Sequence, residues 1–219
     1  MSKRAPIVLV TGFAPFGGET VNPSQLIAQE LDGQTIAGHR LVGATLPTEF
    51  ASSILVLDDL LRRHRPALVL ALGQAGGRAE ISLERVAVNL IDARIPDNAG
   101  AQPVDVAVVE KAPNAYFSTL PLKAMLAALQ QAGIPSALSH SAGTFVCNQV
   151  FFGLAHALHA RRGRVRGGFV HVPYLPEQAA HHVGAPAMPL AVMIRAVTLC
   201  LQIALIARED LHYAAGALD

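Results

Sequence analysis

Two stretches of the chain, PIVLVTG (6–12) and PALVLALG (66–73), are almost wholly apolar and stop at a glycine. A strand with one face in water alternates polar and apolar residues, whereas runs like these are buried on both faces, as in a parallel sheet covered by helices. Helical and strand patterns take turns around them. Asn22 followed by Pro23 offers an N-cap with proline at the first helical position, leading into SQLIAQEL. RLVGATLP (40–47) reads as a strand, and TEFASSILVLDDLLRRH (48–64) as a helix capped by Thr48. ISLERVAVNLI (81–91) alternates well enough for one strand with a polar face, and DARIPDNAGAQP after it is a turn-rich loop. LPLKAMLAALQQAG (120–133) predicts a helix, IPSALSHSA (134–142) a strand, and VCNQVFFGLAHALHARR (146–162) a helix with Val146, Val150, Leu154 and Leu158 spaced by four. GGFVHVPY (167–174) is a strand and 190–210 the final helix. The alternation predicts an α/β fold, a layered α/β/α arrangement with a mostly parallel twisted central sheet.

With 219 residues, 52% hydrophobic and 15% charged, the chain suits a single domain over 1–219 with a well-filled core. A net charge of +1 with no long Lys/Arg run gives no footprint for nucleic acid or an anionic membrane, so neither is expected as a partner. The apolar stretch 187–207 is long enough to raise a membrane span. Against that, Arg195, Thr198 and Gln202 form one polar stripe along it, which leaves Cys200 as a core residue of a buried helix. Two cysteines build no disulfide framework, and the start MSKRAPIVLV has no long signal-type apolar region, so a reducing cytoplasm is the expected location.

Ligands of open α/β sheets bind outside the carboxyl ends of the strands, which directs attention to TGFAPFGGETVNPS, GQAGGR (73–78) and GTFVCN (143–148). Nucleotide motifs fail at each: Gly18 stands where a phosphate loop needs lysine, and GQAGGR has alanine at the second glycine of the dinucleotide fingerprint. Cys147 falls at a predicted helix N-terminus, where backbone N–H groups stabilise a thiolate, lower the thiol pKa and can form an oxyanion hole. Its position alone fits a buried thiol and a nucleophile equally. Of nine histidines, His39, His64, His156, His159, His181 and His182 read as surface residues. His171 lies among apolar residues on a strand, as a core residue or as a base for Cys147. Glu84, Asp92 and Asp97 compete as the carboxylate that would orient it, and spacing does not choose among them. No His/Cys/carboxylate set has the spacing of a zinc site, so neither a metal nor another cofactor is expected.

Taken together, TGFAPFGGETVNPS, GQAGGR, ERVAVNLIDARIPDN, QPV, AYFSTLPLKAM, AGTFVCN, GGFVHVPYLPEQ and GAPAM resemble the type I pyroglutamyl peptidases, also called pyrrolidone-carboxylate peptidases, nearly end to end. The resemblance implies a cytoplasmic cysteine exopeptidase that removes an N-terminal pyroglutamyl residue from peptides, without a metal and as a homo-oligomer, commonly a homotetramer. It places the nucleophile on Cys147, the histidine on His171 and the acidic member on Glu84. It further implies that Phe13 and Phe16 line the lactam pocket, with Asn22 and Gln74 near the ligand and Arg94 in the active site. Two positions depart from the family pattern: Gln149 stands where histidine is common, and Leu83 where proline is common. A different cysteine acyl-transfer hydrolase, such as an amidase or thioesterase, and a non-catalytic small-molecule-binding protein remain the alternative functions on such a scaffold.

Overall fold

The computed structural model describes residues 5–160 and 165–216. In chain order the elements are β1 (Ile7–Phe13), α1 (Pro23–Leu31), β2 (Thr35–Ile36), β3 (His39–Leu46), α2 (Ser53–His64), β4 (Leu68–Gln74), β5 (Ile81–Glu84) and β6 (Val86–Val88). There follow β7 (Ala115–Phe117), α3 (Leu122–Gln131), β8 (Ser136–Ser139), α4 (Val146–Ala160), β9 (Arg166–Val172), α5 (Pro176–Ala179) and α6 (Leu190–Ile206). Seven strands make one sheet in the order β2-β3-β1-β4-β9-β5-β8. Its pairings are parallel except for β2 with β3 and β5 with β9.

Successive strand residues point to opposite faces, and each face has its own helices. Val8, Val10, Leu70 and Val170 meet α1, α3 and α6 on one side, where Met125, Val197 and Cys200 are fully buried. Leu9, Val69, Ala71 and Phe169 meet α2 and α4 on the other, with Leu57, Val146, Val150 and Phe152 fully buried. This is the layered α/β arrangement that the double-sided apolar runs predict. The Asn22 side chain accepts the Ser24 amide at the start of α1 and Pro23 opens the helix. Among the described residues no helix is long and apolar enough to cross a membrane. In α6, Arg195 and Gln202 face outward.

Three expectations need correction. The helix expected from 48 begins at Ser53, and Thr48 does not cap it. The Thr48 hydroxyl donates to the Ala14 carbonyl (2.7 Å), the Phe50 amide to Asp97 (2.7 Å) and the Ser52 hydroxyl to Glu49 (2.6 Å), so the polar groups of 48–52 are committed to loops. The strand expected over 81–91 divides at Arg85, whose N–H donates to Ser139 beside the main sheet while its carbonyl accepts from Ser118 after β7. Beyond it, β6 pairs with β7 in a separate two-stranded ribbon. The last helix stops at Ile206 rather than 210. Asp210 instead accepts the Lys123 and Ala124 amides (3.1 and 2.9 Å), supplying the start of α3 with the acceptor that Pro121 at its N-cap lacks. The helix expected over 146–162 is described to Ala160, and 161–162 lie outside the described residues.

Helix α1 lies directly on the sheet because β3 has no side chain at Gly43. A Cβ there would sit 1.9 Å from the Ala28 carbonyl oxygen, a backbone atom that cannot swing aside. Gly43→Ala is therefore expected to destabilise the protein by about 3 kcal/mol through overpacking. A thermal melt should show a Tm lower by roughly 6–12 °C, and an unchanged Tm would show that α1 lifts off freely.

Candidate functional site

Strand β4 pairs with β9 so that Gly73 lies opposite His171, and β5 runs antiparallel on the other side of β9 with Glu84 opposite Phe169. His171 and Phe169, two residues apart, share a face, so Glu84 reaches His171 as a diagonal neighbour. The His171 Nδ1 and Glu84 Oε1 are 2.7 Å apart. An ionised carboxylate only accepts, so Nδ1 carries the hydrogen, which in the neutral imidazole leaves Nε2 its lone pair. Helix α4 covers this face and brings Cys147 with it. A Cβ on Gly73 would lie 2.9 Å from Cys147 Sγ and 2.8 Å from the Phe169 ring, so the glycine leaves room for the sulfur directly over the strand that adjoins His171. Cys147 is partly exposed, while the other thiol, Cys200, is buried.

The first backward hydrogen bond of α4 listens to the ordinary helical rule: it runs from the Gln149 amide to the Phe145 carbonyl (3.1 Å), leaving the Cys147 amide ahead of it without an intrahelical partner. Asn148, fully buried, fixes this helix start sideways. Its amide nitrogen donates to the Val88 and Leu90 carbonyls and its oxygen accepts the Val88 amide. Gln149 donates to the Phe50 carbonyl (2.9 Å) and accepts the Ser53 hydroxyl (3.1 Å), so this departure from the family pattern ties α4 to the beginning of α2. Leu83, the other departure, is fully buried in the core.

Glu84 is completely buried, and its Oε1 also accepts from Arg78 Nη1 at 2.7 Å. Arg78 continues to the Ser141 carbonyl (3.0 Å). Burial opposes the carboxylate charge, but the hydrogen bond and charge of His171, the Ser139 hydroxyl and the Arg78 charge outweigh it and hold the Glu84 pKa below its ordinary value. Cys147 corrects an expectation. Its thiol is not depressed toward neutrality; burial, and then the Glu84 charge, push it up to about 12, with Arg78 pulling the other way. Loss of solvation is the largest of these influences.

A cavity of about 320 Å³ opens beside the pair, lined by Cys147, His171, Phe16, Phe145, Gln74 and Arg94. The Phe16 and Phe145 rings are 6.0 Å apart and tilted by 36°. Phe13 is 1% exposed and packs against Phe169 behind the site, outside the lining of the cavity. Asn22 is likewise outside that lining; besides capping α1 it donates to the Ala14 carbonyl (3.2 Å) in the segment leading to Phe16. Of the competing acids, Asp97 is buried and accepts the Phe50, Ala99 and Ala101 amides, while Asp92 is exposed at the cavity wall. Two histidines expected on the surface are engaged: His156 lies 2.9 Å from the Tyr116 hydroxyl, and His182 donates to Glu19 (2.6 Å) while stacked on Tyr174. Sequence pattern gave no sign of β7, which carries Tyr116. Phe145 and Arg78 were not singled out from the sequence, although both lie inside the quoted motifs. Among the described residues no group of three His, Cys, Asp or Glu side chains is arranged to hold a metal.

Comparison with known proteins agrees across the chain. A family profile described as pyroglutamyl peptidase matches residues 7–207. Pyrrolidone-carboxylate peptidase 1 of Ralstonia nicotianae is 53% identical over 213 residues, 97% of this chain and 99% of that protein. Pyrrolidone-carboxylate peptidase of Erwinia tasmaniensis is 52% identical, covering 96% and 98%. The crystal structure of pyroglutamyl peptidase I from Bacillus amyloliquefaciens superimposes with a TM-score of 0.93 at 41% identity, covering 96% of this chain and 100% of that one.

The lowered Glu84 pKa sets a stability dependence on pH. A carboxyl whose pKa is lower folded than unfolded stabilises the protein above the unfolded value, and that contribution is lost as pH falls through the folded value. The Tm should therefore decline as the pH drops below the ordinary carboxyl value of 4.5. Glu84→Gln should show a shallower decline over the same window. Parallel declines in both proteins would remove Glu84 as the source.

Proposed function

The chain belongs to the pyroglutamyl peptidase family, and from that premise we propose that Cys147, His171 and Glu84 carry its hydrolysis of the amide bond after an N-terminal pyroglutamyl residue. The protein is a cysteine omega peptidase, and its substrates are peptides that begin with pyroglutamate. One observation carries the assignment of roles: the Glu84–His171 hydrogen bond of 2.7 Å on the strand beside Gly73, over which Cys147 Sγ lies.

The raised thiol pKa shapes the mechanism. Near neutral pH Cys147 rests as a neutral thiol, so its proton passes to His171 Nε2 as the sulfur bonds to the scissile carbonyl carbon. Glu84 holds the Nδ1 hydrogen and stabilises the imidazolium that forms. The carbonyl oxygen takes up the electron pair against the unpaired Cys147 amide, with Arg94 as a helper from the cavity wall. Collapse of the tetrahedral species breaks the C–N bond, His171 returns its proton to the leaving amine, and a thioester remains. Water then attacks the thioester, giving its proton to His171, and free pyroglutamate and the Cys147 thiol are released. Arg78, bonded to Glu84, offsets the carboxylate charge that would otherwise oppose negative charge on sulfur.

Pyroglutamate has no free α-amine, so its pocket needs apolar walls and hydrogen-bond partners for one lactam N–H and one C=O. Phe16 and Phe145 supply walls, Phe13 backs the site from the core, and Asn22 steadies the segment before Phe16. The reading extends to a single catalytic domain over 1–219, a cytoplasmic location and a homo-oligomer, in keeping with unpaired cysteines and the exposed Phe117 and Leu55 side chains.

Release of a fluorescent amine from a pyroglutamyl amide, with prolyl and glutamyl amides as controls, tests these roles. Cys147→Ala and His171→Ala should each lower kcat by at least about a thousandfold, and the double variant should be little worse, because residues that act as a unit do not add. Additive losses, or turnover retained without Cys147, would overturn the assignment.

A further inference from the structure

Gln178 is 3% exposed and lies outside the catalytic cavity, yet all of its polar atoms are engaged. Its Oε1 accepts the Leu175 amide at 3.1 Å. A backbone N–H only donates, so this contact fixes which end of the Gln178 amide is oxygen. Its Nε2 lies 2.9 Å from Glu19 Oε2 and 3.2 Å from the Val21 carbonyl, both of which only accept, and this agrees with the same sense. Glu19 is held in turn by His182 at 2.6 Å. Burial opposes its charge, but the hydrogen bonds from His182 and Gln178 outweigh it and keep the carboxyl below its ordinary pKa, an acceptor at neutral pH.

The remaining contact of Gln178 Nε2 is Gln74 Oε1, at 3.0 Å. Turning the Gln74 amide over would face one NH₂ group against another. Gln74 lines both the catalytic cavity and an adjoining one of about 240 Å³ that also contains Glu19. Its oxygen is turned toward Gln178. The sealed side-chain atoms without a partner among the described residues are Thr11 Oγ1, Glu84 Oε2 and Ser136 Oγ, so Gln74 Nε2 is open rather than enclosed.

From this sequence of donors and acceptors we infer that Gln178 is a positioning residue that locks the Gln74 amide with its NH₂ toward the catalytic cavity, where it donates to the lactam carbonyl of the substrate. The inference rests on the pyroglutamyl-peptidase reading above and assigns the carbonyl as the group that is read. The lactam ring of pyroglutamate satisfies this donor. A prolyl ring of the same shape leaves it unpaired, and a buried unpaired donor opposes binding. Discrimination is thus set by a hydrogen-bond sense that originates at the Leu175 backbone and reaches the cavity through two glutamine amides.

Gln74→Glu tests this directly. The carboxylate still accepts from Gln178, but its charge joins that of Glu19 in a buried setting, so the Tm should fall, while the atom facing the cavity changes from donor to acceptor. KM for the pyroglutamyl amide should rise by at least about tenfold, with kcat less affected, and the ratio of pyroglutamyl to prolyl turnover should fall. The Ki of 2-pyrrolidone, a bare lactam, should rise in parallel. Gln178→Met releases the Gln74 amide without adding charge, and should raise KM and this Ki while kcat is held. A purely structural role for Gln178 predicts a lower Tm or kcat with the lactam Ki unchanged. If Gln74→Glu keeps the wild-type KM and Ki, or, should that variant fail to fold, if Gln178→Met keeps them, the assignment is overturned. Wild-type turnover in the same assay shows that the activity stands even if this assignment falls, whereas no wild-type turnover of any pyroglutamyl amide overturns both.

Discussion

A carboxylate with no exposed surface has to be compensated where it stands, and the arrangement around Glu84 follows from that requirement. His171 and Arg78 both donate to one of its oxygens, and the glycine-rich segment GQAGGR supplies the arginine. The antiparallel insertion of β5 beside β9 is what makes the contact, because it places Glu84 on the same face as His171. The same carboxylate raises the Cys147 thiol, and Arg78 moderates it. One buried charge therefore orients the base, opposes a resting thiolate and recruits the cation that balances both.

Much of this was legible in the sequence where the physical cause was local. Double-sided apolar runs marked β1 and β4, and Asn22–Pro23 marked the start of α1. Cys147 at a helix start and His171 within a strand were also readable, although their common use became visible through the resemblance of the surrounding motifs. Where the cause was distant, the reading fell short. Nothing near Thr48 shows that its hydroxyl is bonded to Ala14, and nothing in the alternation of 81–91 shows that Arg85 divides its N–H and carbonyl between two sheets. The thiol pKa failed for a related reason: a helix terminus is visible in sequence, whereas the desolvation that raises the thiol depends on what packs above Gly73.

The specificity network illustrates a further kind of distance. Gln178 contributes no atom to the lining of the catalytic cavity, and its side chain meets Gln74 from 104 positions away. Hydrogen-bond sense is conserved along such a relay, because each amide has one accepting and one donating end. A pocket wall made by a glutamine can therefore be a defined donor even though the residue type alone is ambivalent.

The contact between Asp210 and the first amides of α3 bears on the order in which the protein is completed. Those amides and their acceptor are separated by 87 and 86 residues, so a ribosome delivers the helix long before it delivers the group that finishes it. Until then the opening turn of α3 has water alone for its unpaired N–H groups, and the fully buried Met125 and Leu129 wait for α6 to cover them. Closure of this face is thus a late, long-range event, with its loop entropy already met by the sheet that has formed in between.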